Sequence, residues 1–141
     1  MTAPAPDSPV AFKVHPSPNH GERKDGRLPD SLVLHYTGMK DAALALHQLC
    51  NPLAQVSCHY FVFEDGRVLQ LVPEARRAWH AGVGCWQGER DMNSASIGIE
   101  IVNPGHEFGY RAFPAAQMES VAALCGEILM RHSVPARNVV G

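Results

Sequence analysis

Residues 31–38, SLVLHYTG, decide the fold of this chain. Three apolar residues, LVL, lead directly into His35, and Gly38 ends the run. Such a run is typical of a buried β-strand. We predict that this strand presents the His35 imidazole at the edge of a sheet, where α/β proteins commonly place their sites. Spacing alone favours a histidine that is merely hydrogen-bonded at the strand end over a metal ligand.

The composition is that of one globular domain with an ordinary core. The chain has 141 residues, of which 45% are hydrophobic and 18% are charged, and its formal net charge is −2. These values, together with the absence of a large basic cluster, argue against nucleic acid as a partner. No stretch is long and apolar enough to span a membrane, so we expect no membrane partner.

The cysteines and the N-terminal residues indicate the compartment. The four cysteines show no CxxC spacing, and MTAPAPDSPVAF lacks the basic and apolar regions of a secretory signal. We therefore expect free thiols and a cytoplasmic protein. A periplasmic location is the alternative if a leader has been removed.

The remaining segments predict helices and strands around the first strand. Residues 1–30 are rich in Pro, Ser, Asn, Asp and Gly, and we expect an extended arm that lies over the sheet without adding to it. In that arm, Asn19, His20 and Arg23 either contact the site or make turns, and turns are the favoured expectation. Further along, the patterns predict helices over 41–50 and 114–132, and strands over 58–64, 67–72 and 138–141.

The segment 77–88, RAWHAGVGCWQG, fits neither a helix nor a regular strand. It combines two tryptophans, a histidine and three glycines. Glycines permit backbone conformations that are closed to other residues, and exposing tryptophan is unfavourable. We therefore expect a loop that forms the wall of a binding site.

Residues 94–103, SASIGIEIVN, predict a central strand that carries a carboxylate. The isoleucines alternate onto one face, and Glu100 lies on the other. A carboxylate at such a position is costly to bury unless it is paired or functional. Two interpretations stay open: an ion pair with an arginine, or a general base with a raised pKa.

Four motifs together resemble a known family. They are LVLHYTG at 32–38, VSCHYFVFEDGRVLQLV at 56–72, AWHAG at 78–82 and SIGIEIVNPG at 96–105. In this order they resemble the zinc-dependent N-acetylmuramoyl-L-alanine amidases, whose superfamily includes the peptidoglycan recognition proteins. The resemblance implies an α/β fold with a mixed central β-sheet flanked by helices. The expected domain covers 17–141 and follows a flexible segment, 1–16.

The resemblance also implies an activity and a site. The reaction is hydrolysis of the amide between N-acetylmuramic acid and the L-alanine of the stem peptide, in peptidoglycan or its fragments. Anhydro-muropeptide fragments are the expected substrate, with the whole sacculus as runner-up. His35 matches the first zinc ligand and Glu100 the catalytic glutamate. The implied substrate-binding residues are Tyr36, His59, Trp79, His80 and Asn103.

The sequence departs from the family pattern at its end. The other zinc ligands and a catalytic lysine are expected beyond Gly141, so we predict that the domain is incomplete at its C-terminus. On that expectation the 141 residues bind zinc poorly and hydrolyse little substrate, because a catalytic zinc normally has three protein ligands.

Two other functions remain open at this point. One is a non-catalytic module that binds peptidoglycan, although such a module needs neither His35 nor Glu100. The other is a cysteine hydrolase that uses Cys58 or Cys85 with a neighbouring histidine. The pair formed by Cys58 and His59 is disfavoured because adjacent strand residues point to opposite faces.

Overall fold

A mixed β-sheet forms the centre of the protein. The structure, a computed structural model, describes residues 4–141. Its strands are β1 (Lys13–Val14), β2 (His20–Glu22), β3 (Ser31–Tyr36), β4 (Tyr60–Val62), β5 (Val68–Gln70), β6 (Arg76–Ala78), β7 (Ser96–Ile101) and β8 (Val139–Val140). Its α-helices are α1 (Ala42–Cys50), α2 (Met92–Ala95) and α3 (Ala115–His132).

The sheet order is β1-β5-β4-β7-β3-β8, and β2 and β6 form a separate antiparallel pair. Strand β7 pairs in parallel with β3 on one side and with β4 on the other, whereas β4 and β5 form an antiparallel hairpin. The predicted α/β fold with a mixed central sheet and flanking helices is therefore confirmed.

The two faces of the sheet support separate cores. The isoleucines of β7 point to the face covered by α3, where they pack with Val121, Leu124 and Ile128. On the opposite face, Phe61 of β4 packs with Ala45 and Leu49 of α1. The period-2 alternation of β7 thus assigns Glu100 to the α1 side, opposite the isoleucines.

Local signals fix where both long helices begin and end. The Asp41 side chain accepts a hydrogen bond from the backbone N–H of Leu44 at 2.8 Å, a cap that stabilises a helix by about 1 kcal/mol. Helix α3 follows Pro114 and ends at His132, and the next residue, Ser133, adopts a left-handed conformation with φ 54°. Across residues 4–141, no helix combines the length and apolar character needed to cross a membrane.

The N-terminal arm differs from its prediction. Strand β1 pairs in parallel with β5, with Lys13 opposite Leu69, so the arm adds an edge strand to the sheet instead of only lying over it. The Gln70 amide also donates to the Asp7 carboxylate at 2.7 Å. The arm pairs with β5 because β5 would otherwise leave a row of unpaired backbone N–H and C=O groups at the edge of the sheet. The flexibility of 1–16 and the boundary at residue 17 stay predictions, and residues 1–3 lie outside the described residues.

The hairpin turn between β4 and β5 provides a stability test. Gly66 has φ +93°, and a Cβ there would lie 2.9 Å from the backbone oxygen of Ala116. We expect Gly66→Ala to lower the free energy of unfolding by roughly 2 kcal/mol, because it combines backbone strain with a contact against helix backbone. Urea unfolding monitored by circular dichroism measures this change.

Gly126→Ala is the matched control for that variant. Gly126 is exposed within α3, and a Cβ there meets nothing within 4 Å. We expect this alanine to raise the free energy of unfolding by about 0.5–1 kcal/mol, because alanine favours the helix interior. Equal effects of the two substitutions would contradict the assigned turn geometry.

Candidate functional site

Parallel pairing brings the two residues singled out by the sequence to one edge of the sheet. In the register of β3 and β7, His35 is the direct partner of Glu100. On the other side of β7, Phe61 of β4 is also opposite Glu100. Both side chains lie near the carboxyl ends of their strands, which is where open α/β sheets bind ligands.

Glu100 lies in a cavity of about 180 Å³ between α1 and the ends of the strands. Its Oε2 atom is buried and has no hydrogen-bond partner among the described residues. Burial raises the pKa of Glu100 to about 8. No arginine forms an ion pair with Glu100 within residues 4–141, so the ion-pair interpretation has no support in the structure.

His35 is hydrogen-bonded to a second histidine. Its Nε2 atom lies 2.9 Å from Nδ1 of His80, and the two rings meet edge to face with centroids 5.1 Å apart. Burial lowers the pKa of His35. Burial and the neighbouring His59 and His35 hold the pKa of His80 well below its usual range. Both rings are therefore neutral near pH 7, and neutral imidazole is the form that binds metal ions.

Close packing on β7 holds His80 in place. A Cβ at Gly98 would lie 2.4 Å from the His80 ring, so the ring rests directly on the glycine backbone. The Asn93 side chain accepts hydrogen bonds from the backbone N–H groups of His80 and Ala81 at 3.0 and 2.8 Å. His80 also lines the cavity that contains Glu100.

His59 lies beneath the site and does not form part of its wall. It is fully buried. Its Nδ1 accepts from the Gly98 N–H at 3.0 Å, and its Nε2 donates to the Arg76 carbonyl at 2.9 Å. Burial lowers its pKa to about 4, so the ring is neutral. The expected substrate contact is therefore replaced by a supporting position, because both ring nitrogens are already used within the protein.

A buried arginine contacts His59 beneath the site. Arg23 is 4% exposed, and its guanidinium donates to the carbonyl oxygens of Glu74, Ser94 and Ser96 at 2.8–3.0 Å. It also lies 3.2 Å from the His59 ring. The guanidinium thus connects the N-terminal arm to the start of β7, contrary to the expectation that Arg23 only makes a turn.

The other expected wall residues lie in different surroundings. Trp79 lines the Glu100 cavity, and its backbone N–H donates to Ser57 Oγ at 2.9 Å. Tyr36 is 56% exposed and faces a second cavity of about 170 Å³. Asn103 also lines that cavity, but its amide is occupied: Nδ2 donates to the Arg111 carbonyl at 2.7 Å, and Oδ1 accepts from the Gly105 N–H at 2.9 Å.

The cysteines offer no alternative nucleophile at this site. Cys58 is fully buried, and burial raises the pKa of its thiol well above the usual range. Cys85 is exposed on the 77–88 loop and makes no hydrogen bond to a histidine of the described chain. A nucleophilic cysteine needs a thiolate and a nearby base, so the structure gives the cysteine-hydrolase hypothesis no support.

The described residues, 4–141, contain no group of three His, Cys, Asp or Glu side chains arranged to hold a metal ion. His35 and His80 converge on each other, but no third ligand joins them there. Since a catalytic zinc takes three protein ligands, these residues by themselves do not complete a zinc centre.

Sequence reasoning missed three contributors to the site, namely Asn93, Ser96 and the role of Gly98. A glycine inside a strand pattern often marks a close approach of another group, so Gly98 carried a readable signal. Asn93 and Ser96 carried no such signal, because they become neighbours of His80 only when the loop that follows β6 folds over β7.

Comparisons with known proteins identify a family. The model of the N-acetylmuramoyl-L-alanine amidase family matches residues 25–141. The chain is 36% identical to the N-acetylmuramoyl-L-alanine amidase AmiD of Escherichia coli over 77% of its own length, but it spans only 43% of that relative. It is 31% identical to the 1,6-anhydro-N-acetylmuramyl-L-alanine amidase AmpD of Citrobacter freundii, covering 89% of this chain and 74% of that one.

Solved structures give the same result. A crystal structure of a selenomethionine derivative of AmpD superposes with a TM-score of 0.83 and 28% identity, covering all of this chain and 86% of the other. Escherichia coli AmiD in complex with the substrate anhydro-N-acetylmuramic acid-L-Ala-D-gamma-Glu-L-Lys superposes with a TM-score of 0.71. The identity there is 32%, over 86% of this chain and 55% of AmiD.

The pKa of Glu100 predicts how the stability of the protein changes with pH. The carboxyl keeps its proton up to about pH 8 in the folded state, but in the unfolded chain it loses the proton near its ordinary pKa of 4.5. Between these values the unfolded chain binds fewer protons, so this residue lowers the stability as the pH rises. We expect Glu100→Gln to gain roughly 4 kcal/mol over wild type from pH 4.5 to pH 8.

Urea unfolding at a series of pH values, with a chelator present, measures this difference. The exposed Glu119→Gln variant on α3 controls for the loss of one carboxyl group. A constant stability difference between wild type and Glu100→Gln over the whole range would contradict the raised pKa.

Proposed function

The chain belongs to the N-acetylmuramoyl-L-alanine amidase family, and we propose that it acts in hydrolysis of the amide between N-acetylmuramic acid and L-alanine. The observation that carries this proposal is the buried, unpartnered carboxyl of Glu100 in a cavity beside His35. A carboxyl without a structural partner is costly, and such groups cluster at catalytic sites.

Glu100 has the properties of a proton-transferring group. General acid–base catalysis is most efficient when the pKa of the catalytic group lies near the working pH, and the pKa of Glu100 is about 8. The carboxylate would take a proton from the attacking water, and the resulting acid would deliver it to the leaving amine. Burial of the carboxyl disfavours its charged form and thereby raises this pKa.

Zinc is general for the family, and we keep His35 as its proposed ligand in this chain. The described residues do not supply the three ligands that a catalytic zinc needs. We therefore assign no catalytic step to a metal ion here. We expect the 141-residue chain by itself to bind zinc weakly and to turn over substrate slowly.

The proposed substrate-contacting residues follow from their position. Trp79 lines the Glu100 cavity, so it is proposed to contact the reacting part of the muropeptide. His80 lines the same cavity, but both its ring nitrogens are hydrogen-bonded to His35 and Ser96, so its proposed contact is an apolar one. Tyr36 lies beyond the end of β3 and is exposed, so it is proposed to contact a more distant part. Asn103 is proposed to act through the loop that its amide supports.

Anhydro-muropeptides are the proposed form of the substrate. This choice is supported by the AmpD relative, named for a 1,6-anhydro substrate, and by the AmiD complex with an anhydro-muropeptide. The cytoplasm is the proposed location, because cleavage of recycled fragments would take place there. The whole sacculus, reached from the periplasm, is the alternative.

Binding and turnover of an anhydro-muramyl tripeptide test the proposal. We expect calorimetry to detect binding, and mass spectrometry to detect a slow release of the free peptide that increases when zinc is added. Glu100→Gln should lower turnover by about 10²–10⁴-fold while binding is retained, because it removes only the proton-transferring group. Glu119→Gln, remote on α3, serves as the matched control.

The results separate the alternatives. Binding without any release of peptide, at every zinc concentration, would favour the non-catalytic peptidoglycan-binding module. Absence of binding would overturn the proposed substrate class. Turnover that survives Glu100→Gln would overturn the role of Glu100.

A further inference from the structure

A continuous line of hydrogen bonds runs from α2 to His35. The Ser96 hydroxyl lies 2.5 Å from the carbonyl oxygen of Met92. The same hydroxyl lies 3.1 Å from Nε2 of His80. On the other side of that ring, Nδ1 lies 2.9 Å from Nε2 of His35. Each of these contacts requires one hydrogen, so the chemistry of the end groups decides which atom donates in every contact.

The Met92 end fixes the direction of the first two bonds. A carbonyl oxygen only accepts hydrogen bonds, so the single hydrogen of the Ser96 hydroxyl points to Met92. Ser96 therefore has only lone pairs left for His80. Consequently Nε2 of His80 carries a hydrogen and donates it to Ser96 Oγ.

The same assignment of hydrogens extends to His35. No acidic side chain is hydrogen-bonded to the His80 ring in the described chain, so a neutral ring with one hydrogen is the consistent state. With that hydrogen on Nε2, Nδ1 of His80 is an acceptor. Nε2 of His35 must then donate to it. The neutral His35 ring is left with a hydrogen-free Nδ1, which makes no hydrogen bond to residues 4–141.

The surroundings prevent the His80 ring from leaving this arrangement. The ring rests on Gly98, where even a methyl group would lie 2.4 Å from it. Asn93 holds the backbone on both sides of the His80–Ala81 peptide bond. Ser96 itself is fully buried at the start of β7. The His80 ring is therefore fixed by its neighbours, although His80 itself lies in the loop between β6 and α2.

We infer that Ser96 and His80 are positioning residues that hold His35 in the tautomer with its hydrogen on Nε2, which leaves Nδ1 as the nitrogen offered to a bound group. The inference deepens the proposed function and rests on it only for the use of His35 in the site. The tautomer itself depends on hydrogen bonds alone.

Nitrogen NMR of the histidine rings tests the inference. Long-range ¹H–¹⁵N spectra of the chelator-treated, ¹⁵N-histidine-labelled chain near pH 7.5 distinguish a nitrogen that carries hydrogen from one that does not. We expect Nε2–H tautomers for both His35 and His80 in the wild type. In Ser96→Ala, which removes the acceptor for His80, both rings should change to mixtures of tautomers.

Two references make the outcome specific. The His59 ring, held by Gly98 and Arg76, should keep its signals in Ser96→Ala. Ser120→Ala removes a comparable hydroxyl on α3, which donates to the Gly66 carbonyl, and should leave His35 and His80 unchanged. A role of Ser96 in stability alone would lower the unfolding temperature without moving the tautomers.

A hydrogen on Nδ1 of either His35 or His80 in the wild type would overturn the inference. Unchanged tautomers in a folded Ser96→Ala variant would also do so. If that variant does not fold, His80→Ala tests the bond between His80 and His35, because a His35 ring that keeps a pure Nε2–H tautomer without any acceptor at position 80 does not need His80. None of these readings requires amidase activity, so a failed inference and a failed function are distinguishable.

Discussion

The parallel register of β3 and β7 is the constraint on which the site depends. Because side chains alternate along a strand, a shift of one residue would move Glu100 to the α3 core and an isoleucine to the cavity. The buried isoleucines on one face oppose such a shift, since it would remove them from their contacts with α3 and place the Glu100 carboxyl among apolar side chains. The packing of the α3 core therefore determines that His35 and Glu100 meet on the other face.

A second layer of polar contacts supports this register from the opposite end of the strands. The Arg23 guanidinium donates hydrogen bonds to the carbonyl groups of Ser94 and Ser96 near the start of β7. The His59 ring, next to β4, accepts a hydrogen bond from the backbone N–H of Gly98. A buried guanidinium stabilises the fold only while all its hydrogen bonds are made, because a lost bond leaves a buried polar group without a partner. The site thus rests on residues from the arm, the hairpin and β7 together, although His35 and Glu100 themselves lie on β3 and β7.

Sequence patterns predicted the elements whose information is local. The apolar run before His35 and the isoleucine alternation each specify their own element, and both are seen in the structure. The motifs also predicted the family, and the resemblance implied that His35 and Glu100 belong to one site. Contacts between distant segments could not be predicted from the sequence, because burial by another segment leaves no periodic signal. The sequence predicted His59 in the wall of the site, and the structure places it beneath the site. It favoured a turn for Arg23, and the structure buries the guanidinium against carbonyl groups of other segments.

The two-residue strand β1 has a consequence for the solution behaviour of the protein. An uncovered β5 would present a hydrogen-bonding edge to any other extended chain, and such edges promote intermolecular sheet growth. Strand β1 occupies that edge, and it is itself too short, with an exposed lysine at its first position, to recruit a further strand. The N-terminal arm thereby leaves no open β5 edge to which another chain could add a strand.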